Sequence, residues 1–294
     1  MDVLTSNAPL SPGTVEAAVH YVEHKSRAIR RRNGAWLSRV EVRLRNRLVR
    51  RFKTQMNWVV DEMSKLSFFE QTPKSIVRIE RKAAEDEVEK LVGDLPENEY
   101  IAEDIVVTSR TSYRKGARTA GADIDIGKYG ISFDIVNGDA IQYLQRLRDL
   151  HLSNFRGSIS RTTRDRIRKI LIDAAQSGQS YADTARQIRE QANAGVFSQA
   201  RGELIATNEV GNAYSQGNMD MVDRFTEKVG EVDAWKRWEI VSNELDDECD
   251  DNNGEGWVPT HHVFSSGDTA PLAHPRCLCF LSFQVTPKGE EPTD

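Results

Sequence analysis

The chain has 294 residues, with 40 Lys and Arg against 45 Asp and Glu for a formal charge of −5, and is 38% hydrophobic, 29% charged and 7% aromatic. That length admits one large domain or two ordinary ones at roughly 100–200 residues each, and the apolar content is too high for a chain disordered throughout. The acidic balance excludes a protein that coats nucleic acid over its whole surface; no apolar run approaches the roughly 18 residues of a membrane helix, and the opening MDVLTSNAPLSP has neither the basic nor the apolar region of a signal peptide.

Ser6, Pro9, Ser11, Pro12 and Gly13 make residues 1–13 a flexible arm. From Val15 to about Leu66 there is no proline and one glycine, Gly34, and the run Trp36, Val40, Leu44, Leu48, Phe52, Met56 repeats every four residues. This predicts one long helix. A four-residue step advances about 400°, so the apolar stripe drifts by roughly 40° per step and meets more than one neighbour. Between Lys25 and Lys53 the segment holds Arg27, Arg30, Arg31, Arg32, Arg39, Arg43, Arg47, Arg50 and Arg51, along with Arg45 and the two lysines, against Glu41 alone. Such a stripe suits a polyanion or an acidic partner surface. The alternative is a solvated helix whose charge is balanced by the acidic stretch Glu80 to Glu99 folding back on it.

Pro73 introduces a second helical segment, Ile76 to Val92, closed by Gly93 and Pro96; a third runs from about Glu97 to Ala120, and the two read as an antiparallel helical hairpin. In ADIDIGKYGISFDIVNG the alternating isoleucines are interrupted by glycines, as in a short β-hairpin or an irregular inter-domain connection. After Asp139 helix returns. Thr162 and Thr163 are the expected cap of a segment whose core face is Ile167, Ile170, Leu171, Ala174 and Ala175. Gly178 ends it, and Ser180 with Asp183 opens the next, which carries Ala182, Ala185 and Ile188. Residues 163–191 also admit a helix-turn-helix DNA reader. A third helix, Gln199 to about Phe225, is weakened by Gly211 and expected to break near Gly217. From Val232 the chain turns strand-like in DAWKRWEIV, GWVPTHHVF and HPRCLCFLSFQV. The fold class is therefore α+β, predominantly α-helical. Its expected parts are an N-terminal helical region over 14–135, a central helical domain over 136–230, a Cys/His module over 231–284 and a flexible tail over 285–294.

Chemistry concentrates in that module. Cys249 precedes His274-Pro275-Arg276-Cys277-Leu278-Cys279 by 25 residues, and thiolates with an imidazole are what zinc prefers. An extended segment would turn Cys277 and Cys279 to one face, so Cys249, His274, Cys277 and Cys279 could complete four ligands. The position three after Cys249 is Asn252, not cysteine, and Asp250, Asp251 or His262 are the possible substitutes. A disulfide from Cys249 to Cys277 or Cys279, or three buried free thiols, are the other readings. The acidic loop fails as an EF-hand, because the register with Gly254 at position six puts Cys249 at position one and Thr260 at position twelve. There is no phosphate-binding glycine loop, nucleophile elbow or HExxH. The remaining acid-base candidates are His261, His262 and Glu209, the last beside Asn208 and Asn212, where a structural anchor is the simpler role.

In order along the chain stand Gly178-Gln179-Ser180, Ile205-Ala206-Thr207-Asn208-Glu209, Trp238, Cys249, Asn253-Gly254 and His274-Pro275-Arg276-Cys277-Leu278-Cys279. With these, residues 138–283 resemble the phage head morphogenesis, or Mu F-like minor head protein, family. The chain departs from that family's pattern at Thr207 (usually arginine), Asn208 (usually threonine) and Asn252 (usually the second cysteine of the first pair). The resemblance implies a minor capsid protein of a tailed bacteriophage. Such a protein sits in few copies inside the head near the portal, assembles with portal, capsid or scaffold proteins in the host cytoplasm, contacts DNA and aids genome delivery. It implies structural roles for Glu209, Trp238 and Gly254 and no catalytic residue. The competing classes are an enzyme of nuclease or ADP-ribosyltransferase type, using Glu209, His262 and His274, and a zinc-stabilised protein-binding adaptor.

Overall fold

A run free of proline and rich in four-residue apolar spacing produces a single helix, α1, over Pro12–Met63. The computed structural model describes residues 12–70, 81–152, 158–240, 247–275 and 277–293; the arm over residues 1–11 and the helix start expected at Pro73 and Ile76 lie outside them. Two compact units are present, Met1–Arg39 and Val40–Asp294, and the described part of the first is the opening of α1. Residues on either side of 135 and 230 thus share one unit. Within it, Val40, Leu44, Leu48 and Phe52 of α1 are buried, and the stripe then shifts to Gln55, Val59, Val60 and Met63, the drift that a strict four-residue repeat imposes.

A helical turn α2, Ser67–Glu70, is followed by α3 over Arg81–Gly93 and α4 over Asn98–Asp123. Next come α5 (Asn137–Leu152), α6 (Ile159–Ser177), α7 (Tyr181–Ala194) and α8 (Gln199–Val229). The expected hairpin of the second and third segments does not form: α3 packs on α6, and α4 packs along α8 and on α5. Between α4 and α5 the chain makes two 3-10 turns, Ile126–Tyr129 and Phe133–Val136, in place of a β-hairpin. Its isoleucines alternate because Ile124, Ile126 and Ile131 are buried in the helical core. The cap of α6 is Ser158, not Thr162 or Thr163. Ser158 has extended backbone angles and its hydroxyl accepts from Arg161 N, whereas both threonine hydroxyls donate back to carbonyls one turn earlier. Ser180 caps α7 with Asp183, as its sequence predicts.

Helix α8 runs unbroken through Gly217. A Cβ built on Gly217 would lie 2.1 Å from the Tyr113 carbonyl oxygen, and one on Gly116 would lie 2.0 Å from that of Tyr214. The two glycines therefore let α4 and α8 meet backbone to backbone. Tyr113, fully buried at this crossing, donates to Asp220 Oδ2 at 2.5 Å and stacks on Tyr143 of α5.

The C-terminal sheet has the order β2-β1-β3 and is antiparallel, with β1 over Val232–Glu239, β2 over Val258–Pro259 and β3 over Phe280–Pro287. Of GWVPTHHVF only Val258 and Pro259 pair as strand. The expected flexible tail starts too early, since β3 extends to Pro287, Lys288 N donates to Glu231 O, and Gly289 N donates to Asp233. The sheet is not an independent module: Trp238, Leu281 and Phe283 join Tyr113, Met221 and Phe225 in one apolar core. Among the described residues no helix is long and apolar enough to cross a membrane.

Gly217→Ala should lower the melting temperature by roughly 5–10 °C, because a methyl group directed at a backbone carbonyl must force α4 and α8 apart. Gly138→Ala, where a Cβ meets nothing within 4 Å, should leave it within a degree or two or raise it. Equal melting of the two variants in a calorimeter would show that the crossing tolerates separation.

Candidate metal centre

Cys249 lies on the short helix α9, Asp247–Gly254, while His274 and Cys277 lie in the turn that leads into β3. The ligand atoms of these three residues all fall within 4.8 Å of one another. The Cys249 sulfur is 3.3 Å from His274 Nε2 and 3.8 Å from the Cys277 sulfur. A tetrahedral ion with metal–sulfur bonds near 2.3 Å and metal–nitrogen bonds near 2.05 Å separates its ligands by roughly 3.8 Å (S to S) and 3.6 Å (S to N). Two edges of the trio thus lie close to those of a metal tetrahedron, and the third is no longer than 4.8 Å. The three cysteines are free, and the 3.8 Å sulfur separation is far longer than the disulfide bond of about 2.05 Å. His274 Nδ1 lies 3.1 Å from the Pro275 carbonyl; donating there leaves the Nε2 lone pair facing Cys249, the tautomer a metal requires.

Cys279 stands behind this trio instead of in it. Its thiol donates to the Cys277 sulfur, and the backbone amides of Cys279 and Ala273 also point at that sulfur, so Cys277 is pushed down to about 5. The Cys279 thiol is correspondingly held above its ordinary value by the neighbouring Cys277 sulfur and by burial. Cys279 is thereby placed as a donor that favours the thiolate form of Cys277. Residues 277–279 precede β3 and are not strand, so the alternation that would have turned both sulfurs to one face does not apply.

Of the substitute ligands considered for the first half-site, Asp250 and Asp251 are exposed on α9 outside the trio, and His262 is engaged elsewhere, as is Asn252. Asn252, fully buried, accepts from Ser265 Oγ and Ser266 N and donates to Ser266 Oγ, clamping the loop that leads to His274. His262 Nε2 pairs with Glu255 at 2.6 Å. Next along α9, Asn253 donates to the Trp238 carbonyl at 2.6 Å and fixes the helix on β1. Gly254 closes α9 in open space; the left-handed backbone of this turn falls at Gly256, with φ of 67°. Trp238, 0% exposed, packs edge-on against Phe264 and lies beside the Cys279 thiol.

Lys236, a residue with no sequence motif, organises the same loop. It takes an inward position of β1 between Ala234 and Trp238 and is 0% exposed. Its Nζ donates to the carbonyls of His262 and Thr269, each at 2.6 Å, and sits 5.0 Å from the Phe264 ring centre. Burial pushes its pKa down to about 8. The period-two burial of β1 was the available signal, since a strand reading Ala234, Lys236, Trp238 turns the lysine inward.

Glu209 of α8 is half-buried and faces the buried His151 of α5, with Oε1 3.3 Å from Nε2. It is a contact between two helices, remote in chain position from His261 and His262, which lie in the C-terminal loop. In the basic stripe, the side chains of Arg27, Arg30, Arg31 and Arg32 lie outside the described residues. Arg47 pairs with Asp104, and Arg51 pairs with both Glu97 and Asp104 of the α4 start, so that part of the stripe is balanced by acidic residues folding back. Arg39, Arg43 and Arg50 are exposed. Glu41, the stripe's one acid, points toward Glu203 of α8, and burial followed by that like charge raises its pKa to about 7.

No protein family, curated protein or solved structure matches this chain.

Two outcomes follow from this geometry. A chelator should lower the melting temperature of the reduced protein by several degrees, because a metal bound only by the folded state adds its binding energy to folding, and it should leave Cys277→Ser unmoved; indifference of the wild-type protein, after loading with a divalent metal, would refute a bound ion. For Glu41, the folded value of about 7 stands above the unfolded 4.5. The folded state then binds more protons between these values, and stability falls as pH rises from about 4.5 to 7. Glu41→Gln should therefore melt a few degrees above wild type at pH 8 and together with it near pH 4.

Proposed function

We propose that this chain is a structural, non-enzymatic minor head protein of a tailed bacteriophage, located inside the head near the portal, and that its Cys/His centre holds zinc. The observation that carries the reading is the ordered motif from Gly178-Gln179-Ser180 to His274-Pro275-Arg276-Cys277-Leu278-Cys279, three residues of which converge with metal-ligand spacing. Zinc is favoured by two thiolates with one neutral imidazole and requires no redox chemistry. Cys249, His274 and Cys277 supply three bonds, and a water supplies the fourth. When bound, the ion joins α9 to the turn before β3 and acts as a folding staple.

A structural role also fits Glu209, whose Oε1 lies 3.3 Å from Nε2 of the buried His151 on a neighbouring helix. On this reading portal, capsid or scaffold proteins meet the chain during assembly in the host cytoplasm, and the genome meets it in the filled head.

Particles of the encoding phage should contain the chain in fewer copies than the major capsid protein, detected by quantitative mass spectrometry of DNA-filled heads. The purified protein should carry one zinc by elemental analysis, with three thiols titrating after denaturation under non-reducing conditions. Absence of the chain from heads would overturn the location; absence of metal with one free thiol would replace the staple by a disulfide.

A further inference from the structure

The pairing of Arg47 and Arg51 with acids of α4 relocates the unbalanced positive charge of this region. On the exposed face of α4, after Glu99 and Glu103, stand Arg110, Arg114 and Arg118, spaced by four residues. Among the described residues none of the three makes an ion pair, in contrast to Arg47 and Arg51. At 1.5 Å per residue they form a line of roughly 12 Å. Helices α1 and α4 run antiparallel here, since Arg51 meets Glu97 and Asp104 whereas Arg47, one turn earlier, meets Asp104 alone. One turn further back on α1, the exposed Arg43 continues the register toward the start of the line.

We propose that Arg110, Arg114 and Arg118, with Arg43 beside them, bind the phosphate backbone of double-stranded DNA without reading its sequence; the proposal rests on the head-protein reading only for where that DNA is encountered. Charge complementarity selects the occupant. A duplex presents about one negative charge per 1.7 Å of axis, so the length of this line faces about seven phosphate charges. Guanidinium groups meet phosphate oxygens in paired hydrogen bonds, and the Thr111 hydroxyl lies among them on the exposed face. A protein partner instead draws its energy from buried aromatic or aliphatic anchors. The exposed apolar residues of α4, Tyr100 and Val107, precede the arginine line rather than interleave with it.

The test measures fluorescence anisotropy of a labelled mixed-sequence duplex of about 30 base pairs with full-length protein from 50 to 300 mM salt. Wild type should bind with a logarithmic salt slope of about −3 to −4, the value for three or four neutralised phosphates, and scrambling the sequence should change nothing. Arg110→Gln/Arg114→Gln/Arg118→Gln should lose at least about ten-fold in affinity at 50 mM salt and about three units of slope while melting as wild type does. Retention of the slope in this triple variant, with its loss in Arg43→Gln/Arg50→Gln, would overturn the proposal in favour of the α1 stripe. A wild-type protein that binds no duplex, or whose arginine line instead mediates salt-sensitive self-association on the acidic face of a second copy, would also overturn it. These failures leave the head location standing, because that is read separately from particle composition, and DNA binding through the line in a chain absent from heads would separate the two in the opposite sense.

Discussion

The contact on which the described fold depends is the crossing of α4 and α8, where Gly116 and Gly217 bring backbone against backbone. A helix pair at this range buries peptide groups that water would otherwise solvate, so its partners must be fully packed. Here they are Tyr113 and Ala117 from one helix and Ala213 and Met221 from the other, continuous with the Trp238, Leu281 and Phe283 side of the sheet. The sheet gains a wall of helix that three short strands could not supply for themselves. Through Trp238 and the Asn253 bond to its carbonyl, the same wall fixes the strand on which α9 and Cys249 are hung.

Two cations that donate to backbone carbonyls show how the irregular parts are held. Arg201 donates to the carbonyls of Ile159 and Val196 and to the Thr163 hydroxyl, and its guanidinium covers the Phe52 ring; burial pushes its pKa down to about 10. Lys236 does the corresponding work in the C-terminal loop. An ammonium or guanidinium withdrawn from water is costly, yet so are loop carbonyls left without donors. Each cation resolves several such carbonyls at once and specifies one loop conformation, a job that a single neutral donor would do only in part.

Sequence periodicity made the helices legible, down to the sideways drift of the α1 stripe, because burial of one helix face is a local pattern. What it concealed was long-range. A glycine that breaks a helix and one that admits a neighbouring backbone look alike in the chain, so Gly217 pointed to a break where the structure has a close approach. Asn252 looked like a lost ligand because of its distance from Cys249, but its role is set by Ser265 and Ser266. The balance of the arginine stripe was half legible: acidic residues near Glu97 were at hand, but only the fold reveals that Arg47 and Arg51 are the ones taken and that Arg110, Arg114 and Arg118 are left. The trio of Cys249, His274 and Cys277 was legible as residue types with suitable spacing. The place of Cys279 was not, since it depended on an extended strand over Cys277 to Cys279, and β3 begins only at Phe280.

The staple and the polar anchors act on different parts of the same entropy problem. Between Glu239 and Phe280 regular structure is limited, among the described residues, to the eight residues of α9 and the two of β2, so few backbone bonds offset the cost of ordering the segment. Lys236 and Asn252 organise its interior, but neither prevents its ends from separating. Joining Cys249 to His274 and Cys277 closes a loop of about 25 residues, and a crosslink contributes through the freedom it removes from the open chain. With no crosslink, a segment so poor in regular bonding would open before the contact of α4 with α8 is lost. A metal held by this trio would therefore stabilise the C-terminal loop locally, and the loop meets the helical core through Trp238, Phe264, Cys249 and Cys277, which share one apolar cluster with Met221 and Phe225.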